Sequence, residues 1–149
     1  MNLFFSKIES EKQAYWLGFI AADGNIRQDG LCLTIIPHKT GNLHFTFERI
    51  PAVYMKDFIR GYFDGNGSIY YTKSWGINCS GYLPFLLKMA SYLPASFSQQ
   101  DFITYGTITT MRKSSVIEVL SYLYEDSTIY LERKYQECLL ALNDYQGAT

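Results

Sequence analysis

The chain has 149 residues, enough for one domain or for two small units that share a core. Hydrophobic residues make up 48% and charged residues 18%, which excludes a disordered chain, and no apolar run is long enough to cross a bilayer, so no membrane role is expected. Thirteen Lys and Arg stand against fourteen Asp and Glu, a net charge of -1, without the cationic excess from which DNA-binding proteins commonly draw sequence-independent affinity.

Met1 to Lys7 is soon followed by Glu9 and Glu11, which is not the pattern of a secretory signal. Ser10-Glu11-Lys12-Gln13 then reads as a capping box. The helix it opens should run through Ala22 and stop at Asp23-Gly24. Asn25 to Arg27 and Leu31 to Ile36 flank Gln28-Asp29-Gly30 as a hairpin, Pro37 to Asn42 reads as loop, and Leu43 to Phe47 as a short strand. Pro51 initiates a second helix, expected from Ala52 to Phe63 and ending in Asp64-Gly65-Asn66-Gly67. Another strand pair follows, Ser68 to Tyr71 and Trp75 to Cys79, around Lys73-Ser74. Helix, glycine turn and hairpin thus occur twice, a weak internal repeat.

The rest of the chain continues the second copy. Tyr82 to Leu93 reads as a helix with Pro84 in its first turn. Phe102 to Tyr105 and Thr107 to Thr110 pair around Gly106. Ser115 to Glu118 is a second capping-box pattern, opening a helix to Tyr124, and Ser127 is expected to cap a last helix from Thr128 to Leu142. Residues 51-149 therefore read as αββαββαα, and residues 1-50 as αββ plus a fragment. Cys32, Cys79 and Cys138 form no Cys-x-x-Cys or Cys/His cluster. They read as free thiols of a reducing cytoplasm, and zinc is not expected. His38 and His44 form no ligand pair. The 13 Tyr suit base or phosphate contacts and protein interfaces equally.

Two segments carry a more specific signal. Trp16-Leu17-Gly18-Phe19-Ile20-Ala21-Ala22-Asp23-Gly24 and Ile59-Arg60-Gly61-Tyr62-Phe63-Asp64-Gly65-Asn66-Gly67 each end a helix and precede a hairpin. Both resemble the LAGLIDADG motif of homing endonucleases. The flanks Lys39 to Leu43, Ile50-Pro51 and Leu123 to Tyr135 resemble the two-motif, single-chain members of that family. The fold this implies is α+β, an αββαββα saddle with its first half truncated and the two motif helices packed at a pseudo-twofold interface. Small residues at Gly18, Ala22, Gly61 and Gly65 would allow that close packing on general grounds. It would also bring two helix C-termini, with their partial negative charge, side by side.

The resemblance implies a divalent cation, Mg²⁺, held between those ends by the penultimate motif residues and used to cut phosphodiester bonds, with the hairpin sheets in the major groove of double-stranded DNA. Carried over residue by residue, it makes Asp23 and Asn66 the metal-ligating and catalytic candidates, with Asp23 the principal ligand. It also places Asn66 at the matching position, where the family usually has an acid. Asn66 offers a neutral carbonyl oxygen and no charge. Asp64 suits capping or packing better than ligation. Arg112 and Lys113 occupy the place of the family's basic residue near the metals, with Lys113 the catalytic candidate. Arg27, Lys39, Lys73 and Arg112 are the candidates for DNA contact.

Three features depart from the family pattern: Asn66, the missing helix and strand pair of the first half, and the charge balance. A truncated half should expose Phe45 and Phe47, which favours a homodimer or another partner. Two functions remain open. One is a metal-dependent endonuclease or nickase. The other is an inactive descendant that binds DNA as a regulator, or acts as a phage or mobile-element inhibitor of a nucleic-acid-binding protein.

Overall fold

The computed structural model describes residues 7–23, 25–26, 32–35, 43–102 and 105–147. The fold is α+β. Helix α1 (Glu11–Asp23) is followed by a three-stranded antiparallel sheet of β1 (Asn25–Ile26), β2 (Cys32–Ile35) and β3 (Leu43–Thr46), in that spatial order. Helix α2 (Met55–Asn66) leads into β4 (Gly67–Tyr71), β5 (Trp75–Tyr82), α3 (Leu83–Ala90), β6 (Ser98–Phe102), β7 (Tyr105–Thr110), α4 (Lys113–Tyr124) and α5 (Glu132–Gly147). Strands β4 to β7 form a second antiparallel sheet in the order β4-β5-β7-β6. Among the described residues, no helix is long and apolar enough to cross a membrane. From α2 onward the elements follow the order αββαββαα.

The start of α1 is close to the expected capping box. Ser10 Oγ accepts from the Gln13 N–H at 3.2 Å, and Gln13 Oε1 accepts from the N–H of Glu9 at 2.7 Å, one residue earlier than the standard box. Pro51 heads a short 3-10 turn, Ala52–Tyr54, from which α2 continues. Helix α2 ends three residues later than Phe63. Asp64, Gly65 and Asn66 are helical because α2 packs along α1 over this stretch, and tertiary contact overrides the turn preference of Gly and Asn.

Other boundaries shift for identifiable reasons. Gly106 lies within β7, paired with Asp101 and Gly81, so the turn of that hairpin falls earlier in the chain. Helix α4 begins at Lys113 with Arg112 as its N-cap residue, and Ser115 is buried inside the helix rather than capping it. Ser127 faces backwards: its Oγ donates to the Tyr124 carbonyl at 2.6 Å and satisfies the end of α4. Helix α5 therefore starts only at Glu132.

Phe47 is a correction. It was expected as exposed strand residue but is 2% exposed, in the 3-10 turn Phe47–Arg49. Its ring meets those of Phe58, Phe85 and Tyr92 with centroids 5.6, 4.9 and 5.6 Å away. Burial of this ring against Phe58, Phe85 and Tyr92 removes it from any partner-seeking surface. The Phe45 side chain and the Pro37 to Asn42 loop lie outside the described residues.

The core lies between the helices and one face of the four-stranded sheet. Ile69, Ile77, Cys79 and Ile108 point into it, against Phe63 from α2, Met89 from α3 and Val119 and Leu123 from α4. Alternation along the strands leaves the other face open, with Ser68 and Ser80 exposed and Tyr70, Asn78, Thr107 and Thr109 half-buried.

Candidate functional site

Helices α1 and α2 run parallel and meet along a stripe of small residues. A Cβ built on Gly18 would overlap the Phe58 carbonyl oxygen and lie 2.9 Å from Tyr62 N. A Cβ on Gly61 would overlap the Tyr15 carbonyl oxygen and lie 2.9 Å from Phe19 N. The two glycines thus occupy equivalent places on the two helices, a local pseudo-twofold relation, and each admits the other helix's backbone. One turn on, a Cβ on Gly65 would overlap that of Ala22. Gly18, Ala22, Gly61 and Gly65 all lie in this seam, which carries the two helix C-termini to one place.

At that place α1 ends in Asp23 and α2 in Asn66. Asn66 reaches across the seam: its Nδ2 donates to the Ala22 carbonyl at 2.9 Å and approaches Tyr62 Oη at 3.5 Å. A carbonyl only accepts, so the group Asn66 presents there is a donor. The bond satisfies one of the carbonyls that the end of α1 leaves without an intrahelical partner. The Asp23 side chain, Arg27 and Lys39 lie outside the described residues.

Asp64 is 2% exposed and faces the body of the protein. Its Oδ2 accepts from Tyr15 Oη at 2.7 Å and from the Leu131 N–H at 2.8 Å, and its Oδ1 accepts from Tyr124 Oη. Lys134 Nζ donates to the Asp64 carbonyl at 3.2 Å. Burial first, then the Asp64 carboxylate, push the Tyr15 and Tyr124 phenols well up, so both remain donors. Asp64 is a packing residue, as its position in the motif suggested.

A second buried charge, Arg60, was not singled out from sequence. Its side chain is fully buried. Nε donates to Ile129 O at 2.9 Å and Nη1 to Leu123 O at 2.9 Å, while Nη2 reaches Glu11 Oε1 at 3.0 Å and Asp57 Oδ1 at 2.9 Å. Glu11 in turn accepts from Thr128 N and Thr128 Oγ1, both at 2.8 Å. The segment between α4 and α5 is strapped across both motif helices by these bonds. A signal was available: Arg60 and Asp64 lie among the apolar positions of α2, where a charge needs a partner.

The described basic candidates, Lys73, Arg112 and Lys113, stand apart from the helix ends. Lys73 is exposed in the β4–β5 turn, and Arg112 is exposed beyond β7. Gly67 shares a rung with Cys79 and, through it, Ile108; from there β4 and β7 both run away from Asn66, so Lys113 follows at the far end of the sheet. Its Nζ lies 5.5 Å from the Tyr145 ring centroid, on α5.

Apart from the Asp23 side chain, which lies outside the described residues, the helix ends offer a Mg²⁺ ion few charged donors. Among them, no group of three or more His, Cys, Asp or Glu could hold a metal. Asp64 has its oxygens engaged by three donors, and Asn66 brings no charge and turns a donor into the gap. A hard dication takes several oxygen donors, usually with carboxylate charge. Asp23 is the acid at the penultimate position of the first motif.

No family model matches the sequence, and no curated protein matches it. Among solved structures the chain is similar to I-SmaMI, a LAGLIDADG homing endonuclease, in its structure bound to uncleaved DNA target in the presence of calcium ions. Identity is 12%, over 62% of this chain and 38% of that one, with a TM-score of 0.49. The chain spans well under half the length of that protein.

Proposed function

We propose that this chain is a LAGLIDADG-type protein that binds double-stranded DNA through the open face of its four-stranded sheet, with the second motif converted from a cleavage position into a structural clamp. The observation that carries this reading is the make-up of that face. Ser68, Tyr70, Asn78, Ser80, Thr107 and Thr109 present hydroxyl and amide groups, and Tyr70 Oη pairs with Thr109 Oγ1 at 3.2 Å and Ser80 Oγ with Thr107 Oγ1 at 2.9 Å. Such groups exchange hydrogen bonds with base edges, and a two-stranded ribbon fits the major groove. Lys73 and Arg112 flank the face as phosphate contacts, and Arg27 and Lys39 are proposed for the first half. Few cations give a weak dependence on salt.

The test is binding to a pool of duplex DNA across a salt series, with and without Mg²⁺, followed by a gel that resolves nicks. The expected result is binding whose log K falls with log salt at a slope of about -4 or shallower, as four phosphate contacts would give, without cleavage. Nicks that require Mg²⁺ and vanish in Asp23→Asn would instead make the chain a nickase that uses the one acid retained by the first motif. Absence of binding at low salt would overturn both DNA readings and leave the inhibitor of a nucleic-acid-binding protein. Burial of Phe47 has already withdrawn one of the apolar residues on which a dimer or protein partner was expected to form.

A further inference from the structure

The helix ends in this chain meet through a hydrogen bond, at the place where the family resemblance would put a shared cation. Carbonyls at two parallel helix C-termini carry partial negative charge of the same sign. Side by side they repel, and a donor or a cation between them relieves that repulsion. A dication does this when acids line the gap. In this chain the Asn66 amide does it: its N–H points at the Ala22 carbonyl at 2.9 Å. The amide is itself positioned, because Gly65 lets α2 lie directly against Ala22, and Tyr62 Oη sits 3.5 Å from the same nitrogen.

From this geometry we infer that Asn66 substitutes for the divalent cation, so that the seam between α1 and α2 is complete without metal. The inference concerns the helix ends alone and stands whether or not the sheet binds DNA. A carboxylate at position 66 would reverse the situation. It cannot donate, it would face the Ala22 carbonyl and the C-terminal end of α1, and the penultimate position of both motifs would then be an acid. The seam would then need a cation.

The experiment is thermal unfolding of the full chain in EDTA, in MgCl₂ and in CaCl₂, for the wild type, Asn66→Asp and Asn66→Ala. The wild type should melt at the same temperature in all three. Asn66→Asp should melt lower in EDTA and recover by about 3–6 °C in either salt, the shift expected when a site is filled to many times its dissociation constant. Asn66→Ala should be lowered in EDTA and not recover, because it loses the donor and gains no ligand. Stabilisation of the wild type by Mg²⁺ or Ca²⁺ to the same extent as Asn66→Asp would overturn the inference. So would an Asn66→Asp protein indifferent to both ions. Should Asn66→Asp fail to fold, Mn²⁺ titration of the wild type followed by electron paramagnetic resonance decides alone. No retained Mn²⁺ supports the inference, and a bound ion that is lost in Asp23→Asn overturns it.

Discussion

Along the seam between α1 and α2, the middle is joined backbone to backbone and the C-terminal end through a side chain. In the middle, Gly18 faces the Phe58 carbonyl and Gly61 faces the Tyr15 carbonyl, so each helix meets the other's backbone with hydrogen alone. At the end, a side chain crosses the seam, with Asn66 donating to the Ala22 carbonyl. The difference separates two kinds of constraint. Backbone contact leaves no room for any side chain, and both copies hold glycine there. Side chains that meet in a gap can trade charge for a hydrogen bond and keep the helices together.

The largest expected effect tests the rigid middle. Gly61→Ala places a carbon inside the Tyr15 carbonyl contact, where only backbone could move. It should destabilise the protein by about 4 kcal/mol or more. Gly65→Ala meets the Ala22 methyl near the helix end, where the two helices can separate slightly, and should cost about 1–3 kcal/mol. Urea unfolding midpoints of the two variants measure the contrast. Equal losses would show that the end is as rigid as the middle and would remove the distinction.

The next effect compares the seam with the strap behind it. Arg60 ties α2 to Glu11 on α1 and to the carbonyls of Leu123 and Ile129, with its cation 5.5 Å from the Tyr15 ring. Arg60→Ala leaves Asp57 buried without its partner and strips two carbonyls of their donor. The expected loss is about 3–5 kcal/mol, as for other buried ion pairs broken on one side. A loss under about 1 kcal/mol, the range of a surface pair, would mean that the strap does not hold the helix pair.

These contrasts also show where sequence reading succeeds. The motif helices were legible because small residues recur at matched positions and a hairpin follows each. The β4–β5 hairpin was legible from alternation around Lys73-Ser74. Phe47 and Ser115 depart from their expected places because each obeys packing beyond its own segment, Phe47 the aromatic cluster of Phe58, Phe85 and Tyr92 and Ser115 the core beneath α4, while Ser127 serves the end of α4 three residues behind it instead of the helix ahead. At the candidate site, the neutrality of Asn66 could be read directly. Its direction could not, since a motif gives residue types and not which group faces which. The Arg60 and Asp64 networks join α2 to a segment more than sixty residues later in the chain, beyond the reach of any local pattern.

The smallest effect uses pH to separate the two acids that share Arg60. Burial alone pushes the Glu11 carboxyl up, but the Thr128 hydrogen bonds and the Arg60 charge together outweigh it and hold the group below its ordinary value of 4.5. Burial also pushes Asp57 up, and there it prevails over the Arg60 hydrogen bond, leaving the group above its ordinary 3.8. The signs are therefore opposite. Glu11 contributes stability above 4.5 that is lost as the pH falls through its lower folded value. Asp57 takes up its proton more readily folded than unfolded, so acidification through its raised value favours the folded state. Urea midpoints of the wild type and of Glu11→Gln should thus differ at neutral pH and converge as the pH falls below 4.5. For Asp57→Asn the gap to wild type should change in the opposite sense, beginning at higher pH. A Glu11→Gln gap that stays constant through pH 3 would show that its link to Thr128 and Arg60 acts through shape and not through charge, and the strap would then rest on Arg60 and the carbonyls alone.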